Sequence, residues 1–185
     1  MFQDESGCDL RPPKARTWSP RGHTPQITVR ARGSGRVCLA AMIAMRPGHR
    51  TRLIYRTLTH HGRRREKKGF KERDLAAHLD AAHQQLHAPI ILVWDNATAH
   101  DDALIHRLIA ARPWLTVTYL PVYAPVLNPV EGVWAWLKRH LANLAPYDID
   151  QVAAIAKQHL RHLQHPANHT LDGFIAETGL TLEPP

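Results

Sequence analysis

The run Pro89-Ile90-Ile91-Leu92-Val93-Trp94 is apolar at odd and even positions alike. A half-exposed strand alternates apolar and polar residues, so a short run without alternation predicts a strand covered by helices on both faces, as in an α/β sheet. Its flanks agree. From Phe70 to Leu86 the residues Leu75, Leu79, Ala82 and Leu86 recur at helical spacing. Beyond the run, a helix is predicted from an N-cap at Asp101 through Leu104, Ile105, Leu108 and Ile109, stopping before Pro113. Leu115 to Leu120 reads as another short strand, closed by Pro121.

Upstream, apolar and β-branched residues gather in short stretches punctuated by Gly and Pro, which predicts strands. The first is expected to end near Asp4. Arg11 to Gly22 reads as an extended excursion with a short strand around Trp18, and Val37 to Met45 as a buried strand. Pro47-Gly48 turns it into a partner strand from about Arg52 to Thr59. Downstream, Val130, Trp134, Leu137, Leu141 and Leu144 stripe one helix, and Val152, Ile155, Ala156, Leu160 and Leu163 stripe another from about Asp148. The tail after Pro166 is weakly patterned. At 185 residues the chain suits a single core. The order strand, hairpin, helix, strand, helix, strand, helix, helix predicts an α/β domain with a mixed central sheet flanked by helices. It is compatible with a ribonuclease H-like core whose first strand is truncated, most of the strand before its expected end at Asp4 being missing.

Charge is distributed unevenly. The net charge is +8, but residues 1 to 73 hold 18 Lys and Arg against 5 Asp and Glu, while residues 74 to 185 hold 6 against 11. The basic half peaks at Arg63, Arg64, Arg65, Lys67 and Lys68, a candidate DNA-binding segment, because such a field attracts phosphodiester backbones whatever their sequence. A solvated loop is the alternative reading of the same run. The longest apolar stretch, Val37 to Met45, is about half the roughly 20 residues a membrane span needs. The opening Met1-Phe2-Gln3-Asp4-Glu5 lacks the basic-then-apolar pattern of a secretory leader, so a cytoplasmic location is expected. Cys8 and Cys38 form no C-x-x-C pair and read as ordinary thiols.

Three acidic residues fall where a metal site is built in such a sheet. Asp4 is expected to close the first strand, Asp95 closes the apolar run, and Glu131 opens a helix after the last strand. The carboxyl ends of strands in open α/β sheets border a crevice. Hard divalent ions such as Mg²⁺ take carboxylate oxygens and keep several waters. Each acid has an ordinary reading too: Asp95-Asn96 as a turn, Glu131 as complement to a helix dipole, Asp4 as part of a solvated terminus.

The strings Phe2-Gln3-Asp4-Glu5-Ser6-Gly7, Leu92-Val93-Trp94-Asp95-Asn96-Ala97-Thr98-Ala99-His100 and Leu120-Pro121-Val122-Tyr123-Ala124-Pro125-Val126-Leu127-Asn128-Pro129-Val130-Glu131 resemble the three blocks of mariner-like DDE transposases, bacterial insertion-sequence branch. Thirty-five residues separate Asp95 from Glu131, a spacing like the family's. The resemblance runs from Met1 to about Leu180. It implies a ribonuclease H-like DDE catalytic domain over residues 1–185, with Asp4, Asp95 and Glu131 as catalytic and metal-binding residues. Two Mg²⁺ or Mn²⁺ ions bridged by a carboxylate serve an in-line displacement, and Asp95, expected on the central strand, is the candidate bridge. Asn96, His100 and Asn128 are candidate supporting residues, with turn, helix-start and loop-fixing roles as the alternatives. The implied reaction is metal-dependent cleavage and strand transfer at transposon ends. The implied partners are DNA, an upstream helix-turn-helix polypeptide supplying the end recognition that has no room before Asp4, and a second copy of the chain. The same residues are compatible with an inactive fragment, with a ribonuclease H-like nuclease that does not join strands, or with a non-enzymatic nucleic-acid-binding remnant.

Overall fold

The computed structural model describes residues 1–180 other than 12, 27, 29–32 and 96–102. Five strands form one sheet in the order β3-β2-β1-β4-β5, where β1 is Phe2–Asp9, β2 Arg36–Arg46, β3 His49–His60, β4 Ile90–Trp94 and β5 Leu115–Tyr119. β2 lies antiparallel between β1 and β3, while β1, β4 and β5 run parallel. The sheet is therefore mixed, with the carboxyl ends of β1, β3, β4 and β5 on one rim. It carries the ribonuclease H-like arrangement expected from the order of elements.

The hairpin forms where predicted, because Gly48 supplies the positive φ of 72° that closes the turn after Pro47. Val37 to Ala44 are buried throughout. On one face of the sheet pack α3 (Pro129–Leu141), α4 (Ile149–Gln164) and α5 (Thr170–Glu177), joining Phe2, Leu39, Trp134, Leu137 and Leu160 in the larger core. On the other, α1 (Glu72–Leu86) and α2 (Ala103–Ala110) cover Met42, Ile54, Leu92 and Trp94. No helix among the described residues is long and apolar enough to cross a membrane.

Five expectations change. The first strand does not end near Asp4: it runs eight residues, to Asp9, because it pairs with β2 residue for residue from Phe2 to Asp9. Backbone hydrogen bonds carry it across the polar stretch Glu5-Ser6-Gly7, where side-chain pattern gives no strand signal. The central strand is β1, with β4 next to the edge strand β5. Ile91 is 63% exposed, since the helices of that face stand over β1, β2 and β3 and leave the start of β4 uncovered. No strand forms around Trp18, whose side chain is wholly exposed. The weakly patterned tail contains α5, which closes on α3 because Gly132 has no side chain: a Cβ there would stand 2.7 Å from Phe174 Cγ. The N-cap expected at Asp101 lies outside the described residues.

Candidate active site

Parallel register sets the first two acids side by side. Phe2 pairs with Val93, and two residues further along each strand come Asp4 and Asp95. Side chains alternate between faces, so both point to the face of Phe2 and Val93, which pack in the α3-side core. Neighbouring strands lie about 4.8 Å apart. Asp4 is thus in the interior of β1 yet level with the end of the shorter β4.

The third acid is brought over by the start of α3. Asn128, 4% exposed, is its N-cap and accepts from the Val130 backbone N–H at 3.1 Å, while its Nδ2 donates to the Gln3 carbonyl at 3.2 Å. One buried amide therefore both caps α3 and ties it to β1 beside Asp4. Glu131 follows in the first turn. Three residues on, and so on the same side of the helix, Trp134 Nε1 donates to Asp4 Oδ2 at 2.8 Å. The other carboxylate oxygen of Asp4 accepts from the Glu5 backbone N–H, also at 2.8 Å.

Asp4, Asp95 and Glu131 together line an open cleft of about 420 Å³, whose far wall is the segment Leu120 to Pro125. Burial is the largest influence on Asp4 and lifts its pKa to about 7; the charges of Glu131 and Asp95 push the same way, against the hydrogen bonds from Glu5 and Trp134. Asp4 thus feels both of the other acids. Among the described residues no three His, Cys, Asp or Glu side chains are gathered closely enough to hold an ion. Like charges in a cleft splay apart. By donor type and by sharing one cleft the acids nonetheless fit a hard divalent cation, and the charge they place around Asp4 is what such an ion would offset.

Residues 1–152 match the family model described as DDE superfamily endonuclease. The chain belongs to the DDE superfamily endonucleases. No curated protein matches its sequence. Among solved structures, the Mos1 transposase paired-end complex with left transposon end superposes with a TM-score of 0.59 at 16% identity, covering 98% of this chain and 56% of that one. The Mos1 mariner paired-end complex with Mn gives 0.57 at 15% identity, with 98% and 56% covered. The corresponding complex with Mg gives 0.54 at 16%, again with 98% and 56% covered. At these identities the likeness establishes the fold. This DDE domain spans a little over half the length of those chains.

Of the supporting residues, Asn128 has the loop-fixing role just described, and Asn96 and His100 lie outside the described residues. The reason for singling out Asp95 as the bridging carboxylate, a rigid central strand, applies to Asp4 instead, since β1 occupies the centre of the sheet. The apolar stripe of α3 predicts a core role for Trp134. It is buried, 1% exposed, but its indole N–H also holds Asp4; the spacing of three from Glu131 was the available signal.

The basic segment leaves β3 on the same rim as the cleft. Arg63, Arg64, Arg65, Lys67 and Lys68 are exposed. They ride on a folded loop, because Glu66 turns inward and accepts from the backbone N–H of His61 at 2.7 Å and of Arg63 at 3.0 Å. Lys67 pairs with Asp74 of α1. The His61 ring spans Glu66 Oε1 and Asp150 Oδ1, each at 2.9 Å. Cys8 and Cys38 are free; they stand on opposite faces of the sheet, because Cys38 pairs with Gly7, next to Cys8.

Proposed function

We propose that this domain is the catalytic domain of a mariner-like transposase of the bacterial insertion-sequence branch, cutting DNA at transposon ends and joining the freed 3′ ends to new sites. The observation that carries the reading is the juxtaposition of Asp4 and Asp95 by strand register, with Glu131 lining the same cleft from the first turn of α3. Asp4, Asp95 and Glu131 would hold two divalent ions, Mg²⁺ or Mn²⁺. Such ions, when bound, lower the pKa of an attacking water or 3′-hydroxyl and stabilise the leaving oxygen of an in-line displacement. The chain's own contribution is position: the Trp134 indole and the Glu5 amide hold both oxygens of Asp4, and Asn128 holds the helix that carries Glu131.

Of the Mos1 structures of like fold, one is described as a paired-end complex with left transposon end, and two as paired-end complexes with Mn or Mg. DNA as substrate, a second copy of the chain, an upstream helix-turn-helix polypeptide for end recognition, and work in the cytoplasm are parts of the same proposal. Exposed Arg63, Arg64, Arg65 and Lys68, on the same rim of the sheet as the cleft, would supply attraction for the backbone.

The test is incubation with labelled transposon-end duplex and a target plasmid in Mg²⁺ or Mn²⁺, with any helix-turn-helix partner added. Cleavage and covalently joined products are expected from the native chain. Asp95→Asn should give neither, while non-specific DNA binding persists. Cleavage without joined products would identify a nuclease; loss of binding and cleavage together in the variant would overturn the assignment of Asp95.

A further inference from the structure

Tyr123 stands on the cleft wall formed by Leu120 to Pro125 and is 98% exposed. Its φ is +58°. For an aromatic residue that conformation is an outlier, and outliers of this kind persist where the surroundings impose them and concentrate at functional sites. Among the described residues the other non-glycine positive-φ positions are Arg65, His87 and Asn143. His87 caps a helix, and Asn143 is of a type that tolerates this region. Tyr123 caps no helix. Pro121 and Pro125 bracket it and restrict the loop on both sides. Val122 and Val126, 60% and 77% exposed, extend the apolar surface beside it. A flat ring is therefore held in water, at a conformational cost, on the wall facing three carboxylates.

A phosphodiester brought to those carboxylates carries its bases within one nucleotide of the cleft lip. Every base offers a π-face, so an exposed aromatic ring there accepts any of them without hydrogen-bond matching. We propose that Tyr123 is a positioning residue: its ring stacks on the nucleobase next to the phosphate at the carboxylates and holds that nucleotide out of the duplex stack. The proposal rests on the reading of the cleft as a DNA-cutting site. It adds a contact to the base, where the acids act only on the backbone.

The probe is a duplex with a short unpaired 3′ tail carrying 2-aminopurine, titrated with the full chain without divalent metal, beside a blunt duplex of equal length. With native protein the tailed duplex should bind more tightly and its fluorescence should be quenched on stacking. Tyr123→Ala should lose the quenching and about tenfold in affinity for the tail while binding the blunt duplex unchanged. Tyr123→Phe should keep both. Tyr123→Gly should behave like Ala with an unfolding temperature equal to or above native, since glycine adopts a positive φ freely. Quenching independent of residue 123, or a Phe variant as weak as Ala, would overturn the proposal. Because this readout needs no cleavage, failure of the cutting reading would appear separately, as no metal-dependent products from a protein whose Tyr123-dependent quenching is intact.

Discussion

The acidic cleft and the basic loop share one rim of the sheet, yet they are assembled by contacts of different range. Asp4 is held by Trp134, 130 residues away, and its strand is tied to α3 through Gln3 and Asn128, 125 residues apart. The basic loop is closed chiefly from within: Glu66 bonds residues three and five positions back, and Lys67 pairs with Asp74 seven positions on. The His61–Asp150 contact reaches furthest, across 89 residues, and Cys38 Sγ donates to the Lys68 carbonyl across 30. The difference follows from what each charge has to do. Carboxylates that share an ion must be placed to within about half an ångström, whereas cations attract a phosphate backbone over about a Debye length, near 10 Å at moderate salt. Strand register and a packed helix give the first kind of accuracy; a local loop suffices for the second.

The long-range placement of the acidic cleft depends most on Trp134. Replacing it by Phe keeps most of the apolar bulk and removes the donor to Asp4. Single-turnover cleavage should fall about a hundredfold, the scale of an ångström's misplacement, and urea unfolding should report a loss of about 1–3 kcal/mol. Affinity for DNA should stay as it was. Unchanged cleavage would mean that the long-range anchor of Asp4 has no part in the site.

A smaller, graded effect is expected from changing Arg63, Arg64, Arg65, Lys67 and Lys68 to Ala. The slope of log affinity against log salt should flatten by about 0.9 for each phosphate contact removed. Arg63, Arg64, Arg65 and Lys68 should account for most of it, because Lys67 already has a carboxylate partner. Saturating cleavage rates should be retained. A steep loss of rate at saturating DNA would show that the loop helps to place the scissile phosphate as well as attract it.

The smallest effect concerns His61, which makes the loop's longest-range tie. Both ring nitrogens face carboxylate oxygens, which only accept, so the bridge requires the imidazolium. Hydrogen bonding to Glu66 and then to Asp150 raises its pKa, and the same contact holds Glu66 down to about 2. A group whose pKa is raised on folding stabilises fully below its ordinary value, here 6.5, and that contribution is lost as pH climbs through the raised value. Amide hydrogen exchange at residues 63–68, corrected for intrinsic pH dependence, should therefore quicken as pH rises through that range, and His61→Gln should remove the step. A pH-independent loop would mean that Glu66 holds it without the histidine.

Much of this molecule was legible as pattern. The hairpin around Pro47-Gly48, the helices striped by Leu75 and Leu79 and by Trp134 and Leu137, and the three motif blocks follow from periodicity, turn residues and spacing, which are properties of neighbours along the chain. So does the accumulation of cations before residue 74. The length of β1, the exposure of Ile91 and the presence of α5 were not legible, because each depends on a partner distant in sequence: the β2 ladder, the extent of the covering helices, and the close approach of Phe174 to Gly132.

The candidate site divides along the same line. The residue types Asp4, Asp95 and Glu131 and their order were determined by the sequence alone, and with them the donor chemistry that suits a hard divalent ion. That Asp4 stands inside β1, level with Asp95 at the end of β4, is a matter of strand register, which one chain segment cannot encode without the other. That Trp134 serves the site as well as the core, that Asn128 joins α3 to β1, and that Tyr123 is left in water on the cleft wall were decided only in the tertiary structure. Each is a contact, or a missing contact, between segments that chain order keeps more than a hundred residues apart or leaves unpaired, and local propensity carries no information about such pairs.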